Sequence, residues 1–426
     1  MDYDSQSNDT DVVRYIVESE STKPSLGRDG IKYDQRAPSA YSCLSDSFDT
    51  DLEEDFPPRV QPLLNLQQLY AVHCREFCVV PCSSFVRSIF KDEIDISHYN
   101  IGPKGCRAVA KTMKQNTTTT LLNISDNGVE TEGAIAIAEL LQENFFLTVV
   151  DMSMNSIGKQ GIEALCSMLN NNKYLQELSL ASNKINDKTV RSIANALKEN
   201  STLRVLDLGT NDIGSDGGAI LAAAVQANGG LFYLNLGGNF IRRKGAVQLL
   251  EAIEANDTLR SVDLSFNGLD VYAANAIESL LKRNTTLKEL DISHNRLSSE
   301  TAQNIAVGLE KNTVLRVLKV GWNPLQSAGA KMIVDGITGS DVTVLEELYL
   351  DDIPVTGEFE DALENLFDTT PGVYVQFGTR VRGKGHRKRK KEQKVCRFEI
   401  RKISPCIRSY DIAVFHYSSL NKEYVI

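Results

Sequence analysis

Carboxylates recur along the middle of this chain at multiples of 28 residues. The aligned residues are Asp151, Asp207, Asp263 and Asp291. Carboxylates that lie in a row on one surface could bind a basic segment of a partner, because a surface of one charge sign concentrates the electrostatic potential. We therefore take these four residues as candidate partner-binding residues. The alternative is that part of this row serves the scaffold alone.

Aromatic rings follow the same spacing a few residues further along. Phe266, His294 and Trp322 succeed one another at 28-residue steps, and Tyr349 lies one repeat beyond them. Neighbouring strands would bring the three rings side by side over about 10 Å. Exposed aromatic residues near charged ones are typical of protein interfaces, so we add these four residues to the candidate site. The alternative is that the rings cover one another and shield a polar loop.

Motifs for catalysis and cofactor binding are missing from the sequence. It has no zinc-protease helix, no glycine-rich phosphate loop ending in Lys-Ser or Lys-Thr, and no nucleophile elbow. Cys74, Cys78 and Cys82 fall at helical spacing beside His73. However, zinc ligands usually come as close pairs from two segments, and Pro81 should break this helix. We predict a protein that is not an enzyme, with no cofactor and no metal site.

A strict repeat positions the candidate residues. Its frame is apolar-x-apolar-x-x-Asn-x-apolar, as in Leu206, Leu208, Asn211 and Ile213. The frame asparagine recurs every 28 residues, at Asn127, Asn155, Asn183, Asn211, Asn239, Asn267, Asn295 and Asn323. Degenerate copies flank this series, so we count ten repeats whose outer members are atypical, as capping requires.

A second asparagine series closes a helical pattern in each repeat. Its members are Asn116, Asn144, Asn172, Asn200, Asn228, Asn256, Asn284 and Asn312. The apolar residues before each one share a helix face, and an asparagine just past such a face predicts a left-handed C-cap. Each unit is therefore a short strand, a loop, a helix and a return loop. The sequence predicts an α/β solenoid with a parallel sheet inside and helices outside.

These repeats resemble those of leucine-rich-repeat proteins of the ribonuclease-inhibitor-like class, over roughly residues 64–376. The resemblance implies a horseshoe with the parallel sheet on its concave face and the helices on its convex face. It also implies that aspartate is common in the carboxylate row. Ribonuclease inhibitor itself alternates two repeat lengths and carries many cysteines at frame positions, unlike this chain. A narrower resemblance, to one group within the class, rests on Cys74–Phe85, Ile101–Gly105 and Leu345–Leu348, and it implies no enzymatic role.

Charge is distributed unevenly along the 426 residues. Residues 1–56 hold 14 acidic and 5 basic residues, whereas residues 379–426 hold 4 acidic and 14 basic residues. We predict a disordered acidic arm over residues 1–56 and a helical cap over 57–90. The solenoid follows over 91–378, and a basic tail occupies 379–426.

The chain has no apolar run long enough to span a membrane, and its acidic start does not resemble a secretory signal. We therefore expect a cytoplasmic monomer without membrane contact. Nuclear entry through the basic tail stays open, and we expect nucleic-acid binding nowhere except in that tail.

The prediction for function is a non-catalytic scaffold that binds a protein or peptide of basic and apolar character on the concave face. One alternative is activation of a GTPase, because Ran-type activators resemble this repeat class, or regulation of another enzyme. Such activators carry an acidic tail after the repeats, whereas this tail is basic. In a further alternative, the basic tail lies on the carboxylate row and masks it.

Overall fold

The computed structural model describes residues 65–380. In each repeat, two apolar residues flank a residue of the opposite face, and this alternation forms a strand of three or four residues. The strands in this part of the chain are β1 Glu93–Asp95, β2 Leu121–Asn123, β3 Val149–Asp151, β4 Glu177–Ser179, β5 Val205–Asp207, β6 Tyr233–Asn235, β7 Ser261–Asp263, β8 Glu289–Asp291, β9 Val317–Lys319, β10 Glu347–Leu350 and β11 Tyr374–Phe377.

A helix follows nearly every strand, because the next apolar residues recur at helical spacing. The helices of the described part are α1 Leu66–Glu76, α2 Ser83–Ser88, α3 Gly102–Met113, α4 Glu130–Glu143, α5 Gly158–Asn171, α6 Asp187–Glu199, α7 Ser215–Ala227, α8 Arg243–Ala255, α9 Ala274–Arg283, α10 Ser299–Lys311, α11 Gln326–Thr338 and α12 Gly357–Thr369. A short 3-10 turn, Val271–Ala273, precedes α9. None of these helices has the length and apolar character needed to cross a bilayer.

The strands form one parallel sheet in chain order, from β1 to β11. Residues that are 28 apart pair directly, so Asp207 lies between Ser179 and Asn235. A slip of one residue would move every apolar side chain to the wrong face, and no such slip occurs from β1 to β9. The predicted α/β solenoid with a parallel sheet is confirmed.

The hydrophobic core lies between the sheet and the helices. Leu206 and Leu208 point toward the helices and are fully buried, together with Leu221 and Val225 of α7. Burying a side chain of this size contributes about 1.5–3 kcal/mol, and neighbouring repeats share that burial. The intervening Asp207 lies on the opposite side of the sheet, which we call the inner face.

The frame asparagines link successive repeats through hydrogen bonds. The Asn211 amide donates to the carbonyls of Leu180 (3.1 Å) and Leu208 (3.0 Å). Its oxygen accepts from the backbone N–H groups of Asn183 (2.8 Å) and Ile185 (3.0 Å). The turn beneath the inner face is buried, so its backbone groups need such partners. The asparagine is therefore a structural requirement at this position.

The second asparagine series has a different backbone from the one expected. Asn144 ends α4 with φ −93° and ψ 126°, an extended conformation, so the predicted left-handed C-cap is wrong. Its amide donates to the carbonyls of Met113 (3.0 Å) and Asn116 (2.9 Å) in the preceding repeat. Its oxygen accepts from the N–H groups of Phe146 and Leu147. The chain turns directly toward the next strand, and the side chain supplies the cap that a left-handed residue would otherwise provide.

Two helices precede the first strand and pack against it and α3. The rings of Tyr70 and Phe85 meet edge to face, 4.5 Å apart. Cys74 and Cys82 are buried here, whereas Cys78 is exposed between the helices. No group of histidine, cysteine and acidic side chains within residues 65–380 is arranged to hold a metal ion. Cys74 and Cys82 belong to the hydrophobic core at this end of the chain.

The far end of the sheet contains one more strand than the ten repeats counted from sequence. β11 pairs in parallel with β10, and Tyr349 lies beside Gln376. The acidic arm over 1–56, the start of the cap over 57–64 and the tail from residue 381 lie outside the described residues.

Candidate functional site

The turn after each strand places one side chain at the rim of the inner face. We call these residues the turn column: they follow the inner-face strand residue by three positions. Their backbone is left-handed, with φ between 49° and 69°, at His98, Asp126, Met154, Ser182, Thr210, Gly238, Phe266, His294, Trp322 and Asp352. A bulky residue rarely adopts this conformation. Here the backbone holds it, since the N–H of Trp322, for example, donates to the Asp351 carbonyl at 2.7 Å.

Three consecutive rings of the turn column form the aromatic stack: Phe266, His294 and Trp322. The Phe266 and His294 rings lie 3.8 Å apart at an angle of 13°. The His294 and Trp322 rings lie 5.0 Å apart at 10°. Phe266 is nevertheless 57% exposed and Trp322 is 51% exposed. The rings therefore contact one another, as the alternative reading held, and still present a large apolar surface.

The central ring of the stack favours the uncharged form. Burial lowers the pKa of His294 below its usual range, although the carboxylates of Asp291, Asp351 and Asp352 act in the opposite direction. A neutral imidazole between two rings keeps the stack apolar. The surrounding carboxylates give this apolar surface an acidic border.

The candidate aspartates share the central inner-face position of their strands. Each carboxylate also closes the turn that follows it. Asp151, Asp207, Asp263 and Asp291 accept a hydrogen bond from the N–H two residues later, at 2.8 to 3.0 Å. Asn123 and Asn235 make the same bond with their side-chain oxygens. Part of this row is therefore required by the scaffold.

Burial and mutual repulsion raise the pKa of two carboxyls of this row, those of Asp207 and Asp263. Burial raises the pKa of Asp207 to about 6, helped by the charges of Asp151 and Asp263 and opposed by the Gly209 N–H. Burial and the neighbouring Asp291 carboxylate also raise the pKa of Asp263. A cation that approaches the inner face would therefore reduce the electrostatic repulsion between these carboxylates.

Lys319 neutralises one end of the row. Its Nζ lies 2.7 Å from Glu289 Oε1 and 3.9 Å from Asp291 Oδ2. Burial lowers the pKa of Lys319, but these two carboxylates outweigh burial and raise it above the ordinary value. Asp291 is consequently engaged within the chain, whereas Lys319 stands too far along the sheet to pair with Asp207.

Tyr349 does not join the aromatic stack. Its ring meets Tyr374 edge to face at 6.0 Å, and its hydroxyl donates to Glu347 Oε2 at 2.8 Å. Burial and the Glu347 carboxylate raise the pKa of Tyr349. The candidate residues therefore separate into the stack, the carboxylate row and this tyrosine pair.

A partly enclosed cavity of about 350 Å³ lies on the inner face between β3 and β6. Asp151, Glu177, Asp207 and Tyr233 contribute polar groups to its wall. Burial raises the pKa of Glu177 to about 7. Burial and nearby carboxylates, Asp263 first among them, likewise raise the pKa of Tyr233.

The comparisons with known proteins agree on the repeat class. The Leucine Rich repeat family matches residues 115–138, 143–166, 171–194, 199–222, 283–306 and 311–334. Leucine-rich repeat-containing protein 74B of Homo sapiens is 34% identical over 70 residues, which are 16% of this chain and 18% of that protein. These segments of the chain are therefore similar to leucine-rich repeats. The human relative also agrees with the narrower resemblance that the segments flanking the repeats predict, although the match spans less than a fifth of its length.

Three solved structures are similar to parts of this chain, each with a TM-score below 0.5. Leiomodin-1 actin-binding site 2 is 25% identical and covers 30% of this chain and 80% of its own, with a TM-score of 0.29. The tropomodulin C-terminal domain of Caenorhabditis elegans is 22% identical, with coverages of 36% and 92% and a TM-score of 0.31. An internalin of Listeria monocytogenes is 15% identical, with coverages of 74% and 89% and a TM-score of 0.41.

Two pairs of residues near the inner face escaped the sequence analysis. Glu177 and Tyr233 stand two residues before the central inner-face position, in a third column that could have been written from the same 28-residue spacing. Arg204 and Arg260 lie at the adjacent edge of the sheet, with their guanidinium carbons 5.0 and 5.4 Å from the Phe232 ring centroid. These two guanidinium groups therefore lie on either side of Phe232 in the loops that lead into β5, β6 and β7.

Proposed function

We propose that this leucine-rich-repeat protein is a non-catalytic scaffold that binds a protein or peptide on its inner face. The coarser role, a protein-interaction scaffold, is the one that the repeat class suggests. The single observation that supports the inner face as the binding surface is the exposed stack of Phe266, His294 and Trp322.

The stack has the properties of an interface anchor. Its rings hold one another in place, so little side-chain entropy is lost when a partner covers them. Aromatic residues carry much of the binding free energy at interfaces. The carboxylate row beside the stack favours a partner that combines apolar and basic residues. GTPase activation is not favoured, since neither the matched family nor the human relative supports it.

Peptide display against the full chain tests this proposal. The selected peptides should combine apolar with basic residues. The double variant that carries Phe266→Ala and Trp322→Ala, which we call the stack variant, should bind them at least tenfold more weakly. Tyr272→Ala is the matched control, because it removes a 67% exposed aromatic ring ahead of α9. Thermal unfolding should be similar in all variants. Equal peptide affinity of the stack variant and the wild type would refute the assignment.

A second experiment separates the inner face from the tail. Deleting residues 381–426 should raise peptide affinity at low salt if the basic tail covers the carboxylate row. Unchanged affinity after deletion would refute masking of the carboxylate row by the tail, and it would not affect the proposed binding surface.

A further inference from the structure

The cavity between β3 and β6 contains polar atoms without partners. Glu177 Oε2 and Ser153 Oγ make no hydrogen bond within the described residues. Glu177 is only 5% exposed and Ser153 is 2% exposed, and both side chains line the cavity. A buried carboxylate without a partner is unfavourable by several kcal/mol in general. A ligand that donates hydrogen bonds to these oxygens would therefore be bound favourably.

The other walls define the shape and charge of that ligand. Asp151 and Asp207 place carboxylates on the strands that flank Glu177, and no basic side chain of the described part lines the cavity. Val149 and Val205 lie beside Glu177 in the same column and provide apolar surface. A fitting ligand has a cationic head with several donors and a short apolar stem.

We propose that this cavity binds the guanidinium group of an arginine side chain from the partner. This proposal deepens the proposed function and rests on it. A guanidinium has five N–H donors in a planar fork, which suits acceptors that are distributed over neighbouring strands about 4.8 Å apart. An ammonium group is more strongly hydrated and more compact, so it matches this wide wall less well.

The distance to the aromatic stack sets the spacing of the partner's residues. Glu177 lies on β4 and Phe266 follows β7, so three strand spacings, or about 14 Å, separate them along the sheet. An extended peptide covers about 3.3 Å per residue. A partner segment should therefore carry its arginine about four or five residues from an apolar residue that rests on the stack.

Protonation of Glu177 couples this binding to pH. The groups that face it are Asp151 on β3, Asp207 on β5 and Tyr233 on β6. Burial places the pKa of Glu177 at about 7, so the carboxyl is largely uncharged in mildly acidic solution. Since only the ionised form attracts a guanidinium fully, affinity should rise with pH through neutrality.

The test uses N-butylguanidinium as the probe and the full-length, methyl-labelled protein, with no partner present. Methyl signals of Val149 and Val205 should shift saturably at about pH 8. Affinity for N-butylammonium should be lower, and the neutral N-butylurea should cause no saturable shift. Glu177→Gln should weaken probe binding at least tenfold, whereas Glu93→Gln, at the same strand position on β1, should not change it.

Several outcomes would overturn the proposal. They are the absence of saturable shifts in the wild type, equal affinity for N-butylurea, equal or tighter binding of the ammonium probe, and unchanged affinity of Glu177→Gln. Because the probe needs no contact with the stack, these outcomes are distinct from failure of the proposed function. That failure would appear as unchanged peptide capture when Phe266 and Trp322 are replaced.

Discussion

Replacing Glu177 by glutamine should stabilise the protein in neutral and alkaline solution. The side chain is nearly fully buried, and its Oε2 has no hydrogen-bond partner within the described residues. Glutamine has nearly the same shape as the protonated carboxyl and carries no charge. The substitution therefore removes the cost of a buried charge without opening a cavity in the sheet.

The magnitude follows from the pKa of the carboxyl. Burial raises the pKa of Glu177 from the ordinary 4.5 to about 7. Between these values the folded chain binds more protons than the unfolded chain, so the free energy of unfolding falls as pH rises. The full pKa difference between the folded and unfolded chain corresponds to about 3 kcal/mol in the free energy of unfolding. Because the cavity beside Glu177 admits solvent, we expect about half of it, or roughly 1.5 kcal/mol.

Urea unfolding of the wild type and of Glu177→Gln at several pH values measures this effect. Asp207 also has a raised pKa, so the informative quantity is the difference between the two proteins rather than the wild-type profile. The difference should be near zero at about pH 4.5 and should reach about 1.5 kcal/mol in favour of the variant at about pH 8. Glu93→Gln is the matched control, since Glu93 occupies the same strand position and is exposed.

Two results would refute this reasoning. The first is a Glu177→Gln variant that is no more stable than the wild type at about pH 8. The second is a stability difference that stays constant with pH, which would mean that the substitution acts through packing rather than through charge. Glu93→Gln should show neither the gain nor the pH dependence, so any common trend belongs to the general loss of an acidic residue.

Three further predictions concern the scaffold. Asn211→Ala should lower the free energy of unfolding by about 2–5 kcal/mol in urea, because two buried N–H groups lose their acceptor; a loss under about 1 kcal/mol would contradict this role. Gly245→Ala should cost about 2–4 kcal/mol, since a Cβ there collides with a backbone carbonyl of α7, whereas Gly229→Ala, with no heavy atom within 4 Å of its Cβ, should change little. Burial raises the pKa of Cys106 to about 12, so a thiol reagent followed by peptide mass spectrometry should label the exposed Cys78 at least about 100-fold faster; equal rates would show that the core opens.

The sequence carries most of the architecture because the repeat is strict. A shift of one strand by one residue would move its apolar side chains out of the core. The 28-residue spacing therefore fixes strand pairing as well as strand location. The same spacing predicts that Phe266, His294 and Trp322 lie side by side. Their stacking distances and exposed fractions then came from the structure.

Other features depend on backbone conformation, which spacing does not specify. The asparagine that ends each helix from α4 to α10, such as Asn144, is extended rather than left-handed because its amide must reach the preceding repeat. The left-handed residues lie instead at the turn column, where side chains as different as Met154 and Trp322 adopt the same φ. Glu177 was missed for another reason: Glu93, Glu289 and Glu347 occupy the same column, and only burial distinguishes Glu177 from them.

The turn column connects scaffold and recognition. Its left-handed backbone is held by N–H groups that donate to the next repeat, so the fold prescribes the conformation and leaves the side chain free. Glycine adopts this φ without strain, as at Gly238, whereas a bulky residue costs about 1–3 kcal/mol. Phe266 and Trp322 are therefore more costly to the scaffold than glycine would be, and over half of each side chain stays exposed. A strained, exposed and mutually stacked set of rings supports a role in binding better than a role in folding, and Trp322→Gly distinguishes the two: gained or unchanged stability with lost peptide binding fits recognition, whereas lost stability fits folding.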